Sequence, residues 1–212
     1  MRKRPKYYAM DEDICGLRSA GLQLLNSEKL QKDAKGLAPA IGWPDGYGVL
    51  PRHPFRFPDY LEVPRVLIDK RLGRPLRDLE NRQGFWYVSP ALKAVLEQFA
   101  PGACEFSRCE TVLPSGEAGS ELWLCSVTRC LYGRDVIDPE ATKDFKARED
   151  MNGLLNYGLT PTYSLRFRPE AIGSEHLFRL VEMVSRVFCD QLMKDACKAA
   201  GIKGVSFEKI GV

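Results

Sequence analysis

Histidine is nearly absent, with His53 and His176 the only two in 212 residues. An imidazole-based acid–base or metal centre would therefore have to form around one of two positions. His53 lies between Pro51-Arg52 and Pro54-Phe55 with no local acid or base partner, and His176 follows Ser174-Glu175. Both read as loop, turn or helix residues, so no catalytic residue is assigned to either. Long apolar runs are also missing. Arg, Glu, Lys or Asp interrupts each one well before the roughly 18 to 20 residues that a membrane span needs, and no membrane partner is expected. The opening Met1-Arg2-Lys3-Arg4-Pro5-Lys6 is basic, but Tyr7-Tyr8-Ala9-Met10 runs into Asp11-Glu12-Asp13 without the apolar core of an export signal. A cytoplasmic address is the expectation. The seven cysteines are an odd number in a chain large enough to hold a core without staples. They are expected to be reduced, buried, small hydrophobes and not a disulfide framework.

A surplus of one charge sign is lacking too. The net charge of +3 comes from the first ten residues, which supply four basic groups and no acids; the rest holds 27 basic against 28 acidic groups. Proteins that bind duplex nucleic acid carry a broad positive face that neutralises several phosphates, so a nucleic-acid partner is disfavoured.

Motifs for metal or phosphate chemistry fail on spacing. Cys104-x4-Cys109 and Cys125-x4-Cys130 are wider than zinc knuckles, and both adjoin strand-like segments, on which side chains five apart face opposite ways. No metal and no cofactor is expected. Ser115-Gly116-Glu117-Ala118-Gly119-Ser120 suits a hairpin connection but lacks the spacing and lysine of a phosphate loop. The acids of 138–150 alternate with Lys143, Lys146 and Arg148, as on a solvated face.

What the chain does have is core-forming material: 44% hydrophobic and 28% charged residues over a length of one or two domains. Ile14 to Leu30 reads as a short, irregular helix. From Gly36 to Pro64, Gly-Pro-aromatic spacing supplies rigid turns instead of long elements. Val63 to Asp69 reads as one short strand that, given Pro64, lies at an edge or begins at that residue, and Arg71 to Leu79 as a basic connector. Phe85-Trp86-Tyr87-Val88 is a strand. Ser89-Pro90 then starts a helix whose apolar face is Ala91, Leu92, Val95, Leu96 and Phe99. Pro101-Gly102 ends it, and Ala103 to Phe106 is extended.

At an offset of 101 residues the plan recurs. Phe188-Cys189 replaces Tyr87-Val88, Asp190 replaces the cap Ser89, and Leu192, Met193, Ala196, Cys197 and Ala200 replace the helix face; Ser206-Phe207 replaces Glu105-Phe106. Between the units, Glu121 to Val127 and Val136-Ile137-Asp138 read as strands, Glu140 to Asp150 as an exposed helix or loop, Asn152 to Pro161 as turns, and Ser164 to Phe167 as a strand. Leu177 to Val187 reads as short strands. The expected fold class is α+β, with mixed or mainly antiparallel sheets, a few packed helices and two similar strand–helix–strand units. The expected division is an N-terminal helix and wrapping segment over 1–62 and an α+β domain over 63–212.

Three segments carry a family resemblance: Trp86-Tyr87-Val88-Ser89-Pro90-Ala91-Leu92-Lys93; Tyr132 to Pro139 with Val136-Ile137-Asp138; and Val187 to Lys194 followed by Gly201-Ile202-Lys203-Gly204-Val205-Ser206-Phe207. Over roughly residues 60–210 the chain resembles immunity protein family eleven of bacterial polymorphic toxin systems. The resemblance implies a small intracellular protein, encoded with a toxin or effector, that neutralises this partner by binding it, with no catalytic residue set to carry over. At Cys189-Asp190 related chains tend to have a small residue and Ser; Asp caps helices equally well.

The contact residues expected for such a partner are the rigid aromatics Trp43, Tyr47, Phe55 and Phe57 with Arg52 and Arg56, and the steering cations Arg71 and Arg74. The same aromatics also suit packing back onto the domain, and homodimer formation is left open. Two competing readings stand beside this one. One is a hydrolase or transferase drawing on His53, a cysteine and carboxylates. The other is a nucleic-acid accessory role for Arg2, Lys3, Arg4 and Lys6 with Tyr7 and Tyr8.

Overall fold

In the computed structural model, residues 5–14, 18–30, 56–57, 59–82, 85–149 and 155–211 are described. The first strand, β1 (Tyr7–Glu12), shows why its residues are extended: Tyr8 and Met10 enter one apolar cluster, and Tyr7 and Ala9 enter another on the opposite face. A run of four apolar residues with both faces covered is a central strand. The chain continues through β2 (Leu22–Leu24), a short 3-10 turn at Ser27–Lys29, β3 (Arg65–Ile68), β4 (Leu79–Arg82), β5 (Phe85–Val88), α1 (Pro90–Phe99), β6 (Cys104–Val112), β7 (Leu122–Val127) and β8 (Cys130–Leu131). It ends with α2 (Gly133–Val136), β9 (Lys143–Glu149), β10 (Leu155–Ser164), α3 (Pro169–Ile172), β11 (Leu177–Leu180), β12 (Met183–Asp190), α4 (Gln191–Ala199) and β13 (Val205–Lys209).

The strands form a five-stranded sheet, β13-β1-β12-β11-β8, a six-stranded sheet, β2-β3-β6-β7-β5-β4, and the hairpin β9-β10. Antiparallel pairings predominate; β3 with β6 and β8 with β11 are parallel. This is the α+β architecture expected from the sequence.

The two strand–helix–strand units are present, and each is completed by a middle strand antiparallel to both of its own. In the first unit β7 lies between β5 and β6, with Trp86, Cys125 and Phe106 in one cross-strand row. In the second, β1 lies between β12 and β13, with Val187, Met10 and Phe207 in the matching row. The neighbouring rows agree as well: Tyr87–Leu124–Ser107 matches Phe188–Ala9–Glu208, and Val88–Trp123–Arg108 matches Cys189–Tyr8–Lys209. The 101-residue offset is therefore a register relation. Only the source of the middle strand differs: β7 directly follows its unit, whereas β1 is supplied from the start of the chain.

The helices begin alike. Ser89 Oγ accepts from the Leu92 N–H at 3.2 Å, and an Asp190 carboxylate oxygen accepts from the Met193 N–H at 3.0 Å. Each cap is itself held: Ser89 Oγ donates to Asp78 at 2.6 Å, and Asp190 lies 2.8 Å from His176 Nδ1. The structural role expected of His176 is this contact. Leu92, Val95 and Leu96 of α1 and Met193, Ala196 and Cys197 of α4 then fill one core with Trp86, Val88, Cys125, Met10 and Val187. Full burial of a side chain such as Leu92 or Leu96 contributes about 1.5–3 kcal/mol.

A further correspondence links the units. Lys93 Nζ lies 5.0 Å from the Phe106 ring centroid and 4.8 Å from that of Trp123, while Lys194 Nζ lies 5.6 Å from Phe207 and 3.8 Å from Tyr8. In both units the lysine is four residues past the cap, lying over one ring from the last strand and one from the middle strand.

Several expectations are corrected. Ile14 to Leu30 holds no α-helix among its described residues, only the 3-10 turn at Ser27–Lys29: Leu22 and Leu24 face the core cluster of Leu30, Val66 and Tyr87, while Gln23 is exposed, a period of two. Gly21 fits this path because a Cβ there would meet the Asp69 carbonyl oxygen at 2.2 Å. β1 lies inside the five-stranded sheet, between β13 and β12. Val136 ends the one-turn α2 instead of entering a strand. Ile137 makes only an isolated bridge to Phe167, and Asp138 turns the chain by accepting from the Glu140 and Ala141 N–H groups at 3.1 and 3.2 Å. Most of 140–161, read as a helix or loop and then turns, forms the β9-β10 hairpin.

Candidate partner-binding surface

Four of the expected contact residues, Trp43, Tyr47, Arg52 and Phe55, lie outside the described residues, as does His53. Arg56 is exposed. Phe57 turns back onto the fold: its N–H donates to Glu105 at 3.1 Å, and its ring lies 6.0 Å from that of Tyr60. Both rings pack on the outer face of the six-stranded sheet against Tyr87, Cys109 and Leu124. Burial pushes the Tyr60 hydroxyl's pKa well up, as expected for a packing aromatic.

Arg71 and Arg74 share a turn and line one groove of about 740 Å³. Its walls include Ile68, Leu76, Leu113 and Pro114, and Lys70 stands on its rim. The two arginines behave differently. Arg71 is 75% exposed and grips Asp69 through Nε at 2.9 Å and Nη2 at 2.7 Å, which holds the Asp69 carboxyl below its usual range. Arg74 is only 12% exposed and serves the fold: Nη1 donates to Glu80 at 2.6 Å, and Nη2 donates to both Glu80 and Glu12. Glu80 is fully buried, and it also accepts from the Arg77 N–H at 2.7 Å. Glu12 accepts from the Asn81 N–H at 3.0 Å and pairs with Arg77, whose Nη2 donates to the Asp13 carbonyl at 2.6 Å. Burial and the neighbouring Glu80 carboxylate push the Glu12 carboxyl up, and the Asn81 N–H and Arg74 oppose this. Arg74 thus clamps β1 to β4.

This cluster is not legible in the sequence, because its carboxylates come from positions 12 and 80.

Cys104 and Cys109 share β6, whereas Cys125 and Cys130 fall on different strands, β7 and β8. Cys104 packs against the helix-side core and Cys109 on the opposite sheet face. Burial raises the thiol pKa of Cys109 to about 12 and that of Cys197 to about 11, which leaves both unreactive near neutrality. Among the described residues no group of three or more His, Cys, Asp or Glu side chains is arranged to hold a metal ion, and no helix is long and apolar enough to cross a membrane.

No curated protein matches the sequence. The model of the immunity protein family (Imm11) matches residues 24–212, a span that takes in both helix units and the Arg71–Arg74 groove, and the chain belongs to that family.

Proposed function

We propose that this chain is the antidote to a toxin encoded with it, acting in the cytoplasm of the producing cell by binding the toxin and transforming no substrate. The family match over residues 24–212 carries the reading. The geometry supports it by what the side chains are used for. His176 is engaged with the α4 cap, the buried thiols have raised pKa values, and the Glu12–Glu80–Arg74 cluster ties two strands together.

The contact set taken from the sequence is Trp43, Tyr47, Arg52, Phe55, Arg56, Phe57, Arg71 and Arg74. Arg71 has the exposure that contact requires. Arg74 would act by shaping the turn that presents Arg71.

Co-expression tests the reading. A host carrying the neighbouring toxin gene should survive only when this chain is also produced, and the two proteins should co-purify. Death of the host together with separate elution would refute it.

A further inference from the structure

Several described cations on this molecule already have a carboxylate. Arg65 pairs with Glu110, Arg71 with Asp69, Arg74 and Arg77 with Glu12, Lys93 with Glu97, Arg129 with Glu175 and Arg186 with Glu208. A paired cation presents little net field to an approaching protein. At the Arg71–Arg74 groove both arginines are paired, Arg71 with Asp69 and Arg74 with Glu12 and Glu80.

One cleft gathers cations that lack such a pairing. Lys6 at the entry to β1, Lys209 at the end of β13, and Arg166 and Arg168 in the loop after β10 line a single cleft of about 390 Å³. None of the four is in an ion pair with a described residue. Near the cleft, burial and then the like charges of Lys198 and Lys6 lower the pKa of Lys194, with Asp195 opposing. The cleft has an apolar side in Leu165, Phe167 and Ile210. Two acids, Asp138 and Glu170, share the lining, and Asp138 is engaged with the Glu140 and Ala141 N–H groups.

We propose that this basic cleft, bounded by Lys6, Arg166, Arg168 and Lys209, is where an acidic surface of the toxin docks. This deepens the immunity reading and rests on it. The lining selects a protein over a nucleic acid. A phosphate backbone would meet Asp138 and Glu170 among the cations, and Tyr7 and Tyr8, the rings placed to stack on bases, are only 9% and 5% exposed. A protein surface can set carboxylates against the cations, a donor against Glu170 and an apolar side chain over Phe167, the mixture typical of interfaces. Unneutralised positive charge at the rim then accelerates encounter with an acidic partner.

The test uses the toxin recovered by co-purification and measures its association rate with the full chain at low and high salt. The double variant Arg166→Glu/Arg168→Glu should lower the rate at low salt by about tenfold or more, with the difference shrinking as salt is raised. The charge-preserving Arg166→Lys/Arg168→Lys variant should stay close to the parent, and Arg71→Glu should have the smaller effect. Matching unfolding curves for the two double variants would show that folding is not the cause. An unchanged association rate for the Glu variant, or a larger loss in Arg71→Glu, would overturn the inference and leave the immunity reading standing. Salt-sensitive retention of single-stranded RNA, abolished in the Glu variant, would overturn it in favour of nucleic acid. Failure to recover any toxin would remove the immunity reading and this inference together.

Discussion

Arg71 and Arg74 stand three residues apart in one turn, yet their environments predict opposite consequences of truncation. Arg74→Ala strands the fully buried Glu80 and the nearly buried Glu12 without their shared guanidinium. Breaking one side of a buried pair is expected to cost about 3 kcal/mol, visible as a lower midpoint of denaturant unfolding. Arg71→Ala exposes Asp69 to water and should leave the midpoint nearly in place, because surface pairs contribute little. The small remainder has a definite pH dependence. Hydrogen bonds from Arg71 hold the Asp69 carboxyl below its ordinary value, so the stabilisation is present above that value and is lost as the pH falls through the lowered one. Midpoints of parent and Arg71→Ala should therefore converge in acid. A large loss in Arg71→Ala at neutral pH, or none in Arg74→Ala, would contradict these assignments. From the sequence the two arginines look interchangeable; partners at positions 12 and 80 separate them.

At the scale of elements, the helices were legible because their signals are local. Ser89-Pro90 and Asp190 mark the starts, and three- and four-residue spacing marks the buried faces. Each of Ser89→Ala and Asp190→Ala should cost about 1 kcal/mol in denaturant unfolding, and Asp190→Ser should recover most of the loss because Ser also accepts from the N3 N–H. Equal loss in Asp190→Ser and Asp190→Ala would point to the His176 contact, not the cap, as the source of stability. The misread elements lack such signals. In the β9-β10 hairpin Leu155, Tyr157, Leu159 and Tyr163 do alternate at a period of two, but Gly158 and Pro161 read as turn signals and the charges of 143–149 as a solvated face, and these signals outweigh it. At Leu22–Leu24 the surrounding leucines imitate a helical stripe, while the strand is set by pairing with Arg65–Ile68 more than forty residues on.

At the scale of the whole molecule, the 101-residue repeat was visible as two strand–helix–strand patterns, but a pattern search cannot supply the middle strand of the second unit. That strand is Tyr7–Glu12, set between β12 and β13 nearly the full chain length away. The candidate surface divides in the same manner. The Arg71 turn is contiguous in sequence and stands out there as a run of arginines; the basic cleft draws Lys6, Arg166, Arg168 and Lys209 from three distant segments and does not. The central claim is that neutralisation is stoichiometric binding. Titrating a fixed amount of the toxin's activity with this chain tests it most directly: inhibition should saturate at a fixed molar ratio and be independent of incubation time. Progressive, complete inactivation of the toxin by a small fraction of an equivalent would instead show turnover and contradict the account.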